Sequence, residues 1–93
     1  MKAIVDGHVI AESTDIVEND GYQYFAPAAV KMECLEKTPK TAHDLECPHV
    51  VQFYDVVVDG KRHPRNAWVY ESPKPAKKAI ANRVGFWKDV KIV

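Results

Sequence analysis

Hydrophobic and polar positions alternate in short runs along this chain, and three Asp-Gly pairs separate the runs. Asp6-Gly7, Asp20-Gly21 and Asp59-Gly60 are each flanked by β-branched or aromatic residues. Both members of such a pair tolerate the positive φ of a type I′ turn, so each pair predicts a hairpin. Residues 3–5 are expected to pair with 8–12, and 16–18 with 22–25. Residues 50–58 are expected to pair with 66–71 through a longer loop holding Arg62, His63 and Pro64.

The 50–58 run is the longest. Val50, Gln52, Tyr54, Val56 and Val58 share one face, and Val51, Phe53, Asp55 and Val57 share the other. Both faces are mostly apolar, which predicts a central strand covered on each side. Further strands are expected at 30–36, 84–87 and 90–93. Helix is scarce. Pro75 suits a first helical position, and Ala76, Ala79 and Ile80 follow at helical spacing with Lys77 and Lys78 outward. The pattern therefore predicts one short helix near residues 75–82, with a further single turn over 26–30. Residues 37–46 are polar, lack periodicity and contain Pro39, so they read as a loop. The expected class is mainly β and antiparallel, built from hairpins.

Ninety-three residues predict a single domain with a small core. Hydrophobic residues at 46% and charged residues at 28% describe an ordinary globular chain. A net charge of zero argues against a basic nucleic-acid surface, but it hides an asymmetry. Residues 1–46 carry four Lys/Arg against nine Asp/Glu, and residues 47–93 carry nine against four. Either the halves complement each other in the fold, or a basic face awaits an anionic ligand. No segment approaches the roughly 20 apolar residues of a membrane span, and no signal peptide is evident, since Asp6 breaks the run Ala3-Ile4-Val5. These features predict a cytoplasmic protein with no membrane partner and with Cys34 and Cys47 reduced.

Trp68 and Tyr70 stand at alternate positions of a strand and are expected to wall a flat pocket or fill the core, aided by Tyr54 from the neighbouring strand. Cys47, two residues from His49, is a candidate nucleophile if the imidazole lowers its pKa. Lys74 and the start of the helix after it form a candidate anion site, although Pro75 removes one donor there. The bases Arg62, Arg65, Lys74, Lys77, Lys78 and Arg83 are candidates to gather near it. A metal site drawn from His43, Cys47 and His49 matches no standard spacing, and neither metal nor cofactor is expected. Cys34 reads as a packed hydrophobe. Asp55, on a strand with two apolar faces, needs a partner such as Arg83 or a turn amide.

The order Tyr24-Phe25-x-Pro27, Val30, Leu35, Cys47-Pro48, Tyr54-Asp55-Val56, Ala67-Trp68-x-Tyr70, Pro73-x-Pro75 and Val84-x-Phe86 resembles the bacterial domain of unknown function 427 family over nearly the whole chain. The resemblance implies a small β-tent-like domain. Many β-tent proteins hold zinc with paired Cys-x-x-Cys motifs; this chain has none. Where relatives continue after Cys-Pro with an aromatic, a Lys and a Gly, this chain has His49, Val50 and Val51. The family is sometimes labelled nucleotidyltransferase-like. That chemistry needs a Gly-Ser phosphate turn and paired carboxylates on a metal, and neither Gly-Ser nor Asp-x-Asp occurs here.

Three functions stay open at this level. The first is binding of a small molecule or anion near Tyr54, Trp68, Tyr70, Cys47, His49 and Lys74. The second is an enzyme using Cys47 with His49 in redox or acyl transfer. The third is a protein-interaction module with no pocket.

Overall fold

The structure, a computed structural model, describes residues 1–93. Nine strands form two antiparallel sheets. They are β1 (Lys2–Val5), β2 (His8–Glu12), β3 (Ile16–Asn19), β4 (Tyr22–Phe25), β5 (Leu35–Lys37), β6 (Val51–Val58), β7 (Lys61–Tyr70), β8 (Val84–Phe86) and β9 (Lys91–Ile92). The smaller sheet runs β2-β1-β9 and the larger β3-β4-β8-β7-β6-β5. This is the mainly β, hairpin-built architecture that the alternation predicts.

All three Asp-Gly pairs form the expected tight turns. Asp6, Asp20 and Asp59 have φ of 50–52°, and the glycines after them 75–83°. The third hairpin departs from expectation beyond its turn. Arg62, His63 and Pro64 are not a loop but part of β7, which pairs with β6 from Lys61 onward. The irregularity that Pro64 requires is a bulge, with Val56 opposite His63 but Tyr54 opposite Ala67. There the Arg65 N–H turns to the Asp55 carboxylate (2.9 Å), and Arg62 joins it at 2.7 Å. Asp55 is thus held by a bulge amide and Arg62, while Arg83 pairs with Asp15.

Several smaller expectations shift. Within 30–36 the chain makes a 3-10 turn at Met32–Cys34 before the short β5, which leaves Cys34 half-buried against the core. Residues 26–30 hold a 3-10 turn at Pro27–Ala29. The supposed loop 37–46 contains α1 (Ala42–Leu45), started by a capping box in which Thr41 and Asp44 bond each other's N–H. Pro75–Ile80 is 3-10 rather than α, with a kink at Lys77. Only Ile80 of the predicted stripe is buried, and Lys77 bends back to Asn19 and Asp20. No helix is long and apolar enough to cross a membrane.

The main core lies between the sheets and gathers Val5, Ile10, Phe25, Tyr54, Val56, Val69, Val84 and Phe86 with their neighbours. The larger sheet has a second apolar face, which the smaller sheet does not cover. A separate cluster of Tyr24, Val51, Trp68 and Ile80 sits there, with Val17, Cys47, Phe53, Tyr70 and Trp87 partly buried around it. Ile80, from Pro75–Ile80, and the partly buried Cys47 pack against this face. Incomplete cover of an apolar face is what creates the cleft described next.

The charge asymmetry resolves within the fold. Lys40–Glu71, Arg62–Glu36, Arg65–Asp44, Lys77–Asp20 and Arg83–Asp15 each join one half of the chain to the other. The bases expected to cluster near Trp68–Pro75 are largely spent in these pairs.

Candidate functional site

Strand register assembles the aromatic face. Phe53 on β6 lies opposite Trp68 on β7, Trp68 opposite Gly85 on β8, and Gly85 opposite Tyr24 on β4. Side chains two residues along a strand share a face, so Tyr22, Tyr70 and Trp87 join this row. The rings pack mostly edge-to-face, as ring quadrupoles prefer. Trp68 lies 5.0 Å from Tyr22, 5.4 Å from Trp87 and 5.9 Å from Tyr24 between centroids.

Tyr22, Phe53, Trp68, Tyr70 and Trp87 line a cup of about 150 Å³. Phe53 and Tyr70 also line a larger cleft of about 450 Å³, completed by Val51 and the residues His43–Pro48 except Leu45. Tyr22 forms the outer rim at 37% exposure. Burial pushes the Tyr24 phenol up to about 12, only partly offset by the nearby Trp68 indole, and raises Tyr70 as well. Despite that proximity the buried Trp68 Nε1 closes no hydrogen bond.

Arg65 connects cup and cleft. Its guanidinium stands 4.0 Å from the Phe53 centroid and forks onto the buried Asp44 carboxylate at 2.7 and 3.1 Å. Its carbonyl accepts the Trp87 Nε1 hydrogen bond at 2.6 Å. The fork and the Thr41 amide together hold the Asp44 carboxyl down at about 2. One side chain thereby ties α1 to the aromatic face.

The sequence-predicted residues divide. Trp68 and Tyr70 share the cup, and Cys47 lines the cleft beside Tyr70. Tyr54 does not join them: it faces the opposite side, inside the main core. His49 packs its ring 5.5 Å from Tyr70, but its Nδ1 accepts the Lys74 backbone N–H at 3.0 Å and it makes no hydrogen bond to Cys47. That same bond occupies the Lys74 amide proposed for an anion. His43, Cys47 and His49 do not converge as a ligand group.

Tyr22, Phe53, Trp87 and Asp44 are site residues that the sequence alone does not single out, and Arg65, expected only as one of the bases near Lys74, stands at Phe53 and Asp44 instead. A signal for Phe53 was present. A two-residue turn at Asp59-Gly60 sets odd-numbered residues of β6 opposite even-numbered residues of β7, and the bulge preserves that parity. Followed from the turn, Trp68 faces Phe53 and never Tyr54.

A further cleft is lined by Asp6, Lys61, His63 and Asp89, with Lys88 shared between it and the Trp87 ring. His63, buried on β7, holds the Asp6 carboxylate with Nε2 (2.7 Å) and that of Asp89 with Nδ1 (3.1 Å). Asn66 donates to the same Asp89 oxygen at 3.0 Å. Hydrogen bonding to Asp6 raises the His63 pKa; the His63 bond lowers the Asp6 carboxyl, and the Asn66 bond, followed by that of His63, lowers Asp89.

With these features in place, the chain belongs to the domain of unknown function 427 family (DUF427), whose profile spans residues 1–93. No curated protein matches the chain.

Proposed function

We propose that this protein binds a small organic molecule, with one ring of the ligand in the aromatic cup and the remainder in the cleft beside Cys47. The observation that carries this reading is the cup itself, in which four rings from β4, β6 and β7 and a fifth from Trp87, just past β8, surround a ring-sized space open beside a larger cleft. Small-molecule sites combine such apolar walls with a few polar groups, here Asp44, Glu46 and the Cys47 thiol.

Backbone strain supports the same location. Apart from the three turn aspartates and Asn82, the non-glycine residues at positive φ are Val50, Arg65 and Lys88. Val50, β-branched and poorly suited to φ of 53°, follows the Cys47-Pro48-His49 turn. Arg65 and Lys88 each set a cation over a cup ring. Strain of this kind collects at functional sites.

Trp68 and Trp87 are the only tryptophans, so tryptophan fluorescence reports on the cup. A metabolite library screened by thermal shift and by tryptophan quenching should yield a compound that does both saturably. The Tyr22→Ala variant should lose that binding while melting within about 2 °C of the parent. Hits that keep their affinity in Tyr22→Ala would place the ligand elsewhere.

A further inference from the structure

Resting on the binding reading above, the chemistry around the cup also selects ligand charge. Ring faces carry partial negative charge, and several round one cavity commonly receive a quaternary ammonium. Two features oppose that here. The cup lining contains no carboxylate. Two of its rings also already carry a cation, Arg65 over Phe53 and Lys88 Nζ 4.9 Å from the Trp87 centroid. A cation on a ring uses up that ring's attraction for a second one and adds a repulsive field.

The two cations differ. Arg65 is neutralised by the Asp44 fork. Lys88 makes no ion pair; it lines the neighbouring cleft with His63 and Asp89 rather than the cup, and its charge reaches the cup through its place over the Trp87 ring. Neither cup indole offers its N–H to a ligand: Trp87 Nε1 is spent on the Arg65 carbonyl, and Trp68 Nε1 is buried with no surface toward the cup. Charge, not indole hydrogen bonding, therefore distinguishes ligands here. Size narrows the class further, because a cavity of about 150 Å³ holds one benzene ring.

We infer that the cup takes a single planar six-membered ring bearing a carboxylate, and that Lys88 selects for the negative charge. The carboxylate stays at the solvent side, where the exposed Tyr22 forms the rim and no full desolvation is needed. The rest of such an aromatic acid would run past Phe53 and Tyr70 toward Cys47.

The test uses three ring probes of matched size: benzoate, benzyl alcohol and benzyltrimethylammonium. In ¹⁵N-labelled protein the two indole N–H signals are those of Trp68 and Trp87, and each probe is titrated against them. Benzoate should bind about fivefold or more tightly than benzyltrimethylammonium, and Lys88→Glu should bring the two within about twofold or reverse them. An ammonium that binds the parent protein as well as benzoate, or a ratio unmoved by Lys88→Glu, overturns the inference while leaving the cup as a site. Indole signals that none of the three probes moves would overturn the binding reading and this inference together.

Discussion

Gly85 stands directly opposite Trp68 on the neighbouring strand, and the indole occupies the space a Gly85 side chain would need. A Cβ there would lie 2.7 Å from Trp68 Cζ2, 2.8 Å from Cε2 and 2.9 Å from Tyr24 Cε2. The Gly85 backbone is not at positive φ, so any L residue suits it conformationally. Its role is space. The orientation of the central ring of the cup follows from one absent methyl group.

Gly85→Ala should therefore destabilise the protein by about 1–3 kcal/mol, the usual cost of overpacking, and weaken the near-UV circular dichroism of the tryptophans. Urea denaturation and the near-UV spectrum check both. A loss under about 0.5 kcal/mol with an unchanged spectrum would mean that the indole swings aside freely.

Much of this face is written in local chemistry. The Asp-Gly turns fix three hairpins, and alternation from Val51 to Val58 correctly divides β6 between two faces. Which of those faces meets Trp68 depends on register, and a loop over Arg62, His63 and Pro64 leaves register open where the bulged β7 fixes it. The cup needs more than any hairpin supplies. Tyr22 and Trp87 reach Trp68 only because β8 inserts between β4 and β7, a long-range pairing that no nearby residue encodes. The Thr41-x-x-Asp44 capping box was legible as a motif, whereas the Arg65 that completes it arrives from 21 residues away.

Stability should depend on pH through His63. Its folded pKa is raised from 6.5, so its contribution is complete below that value and is lost as pH rises through the raised one. Asp6 and Asp89 are lowered from 3.8, so their contribution is present above that value and fades as pH falls. The clamp is strongest between these limits. The difference in melting temperature between parent and His63→Gln should be largest between pH 3.8 and 6.5 and shrink as pH rises beyond 6.5. A difference constant from pH 5 to 9 would show that His63 contributes packing alone.

Breaking the fork between Arg65 and Asp44 should loosen the cleft wall. Arg65→Met leaves a buried carboxylate unpaired, and the expected cost is about 2 kcal/mol, below the range for fully buried pairs because the Arg65 side chain is 30% exposed. The parent should keep this contribution above the ordinary carboxyl value of 3.8 and lose it as pH falls toward about 2. In the variant, chemical denaturation between pH 2 and 5 should lack that acid-dependent step. An unchanged acid limb would place the stabilisation of α1 elsewhere.

Cys47 should react independently of His49. Their two-residue spacing suits a thiol–imidazole pair, but the His49 Nδ1 lone pair is taken by the Lys74 N–H, which pins the Cys47-Pro48-His49 turn to the segment before Pro75. An imidazole used this way works as a structural acceptor. In a Cys34→Ser background, which leaves a single thiol, the rate of Cys47 alkylation by iodoacetamide should differ by less than about twofold between His49 and His49→Gln proteins. The melting temperature should fall in the variant, because the turn loses its anchor. A tenfold or greater drop in alkylation rate would instead reveal a dyad that assembles in solution, and would favour nucleophilic chemistry in the cleft over binding alone.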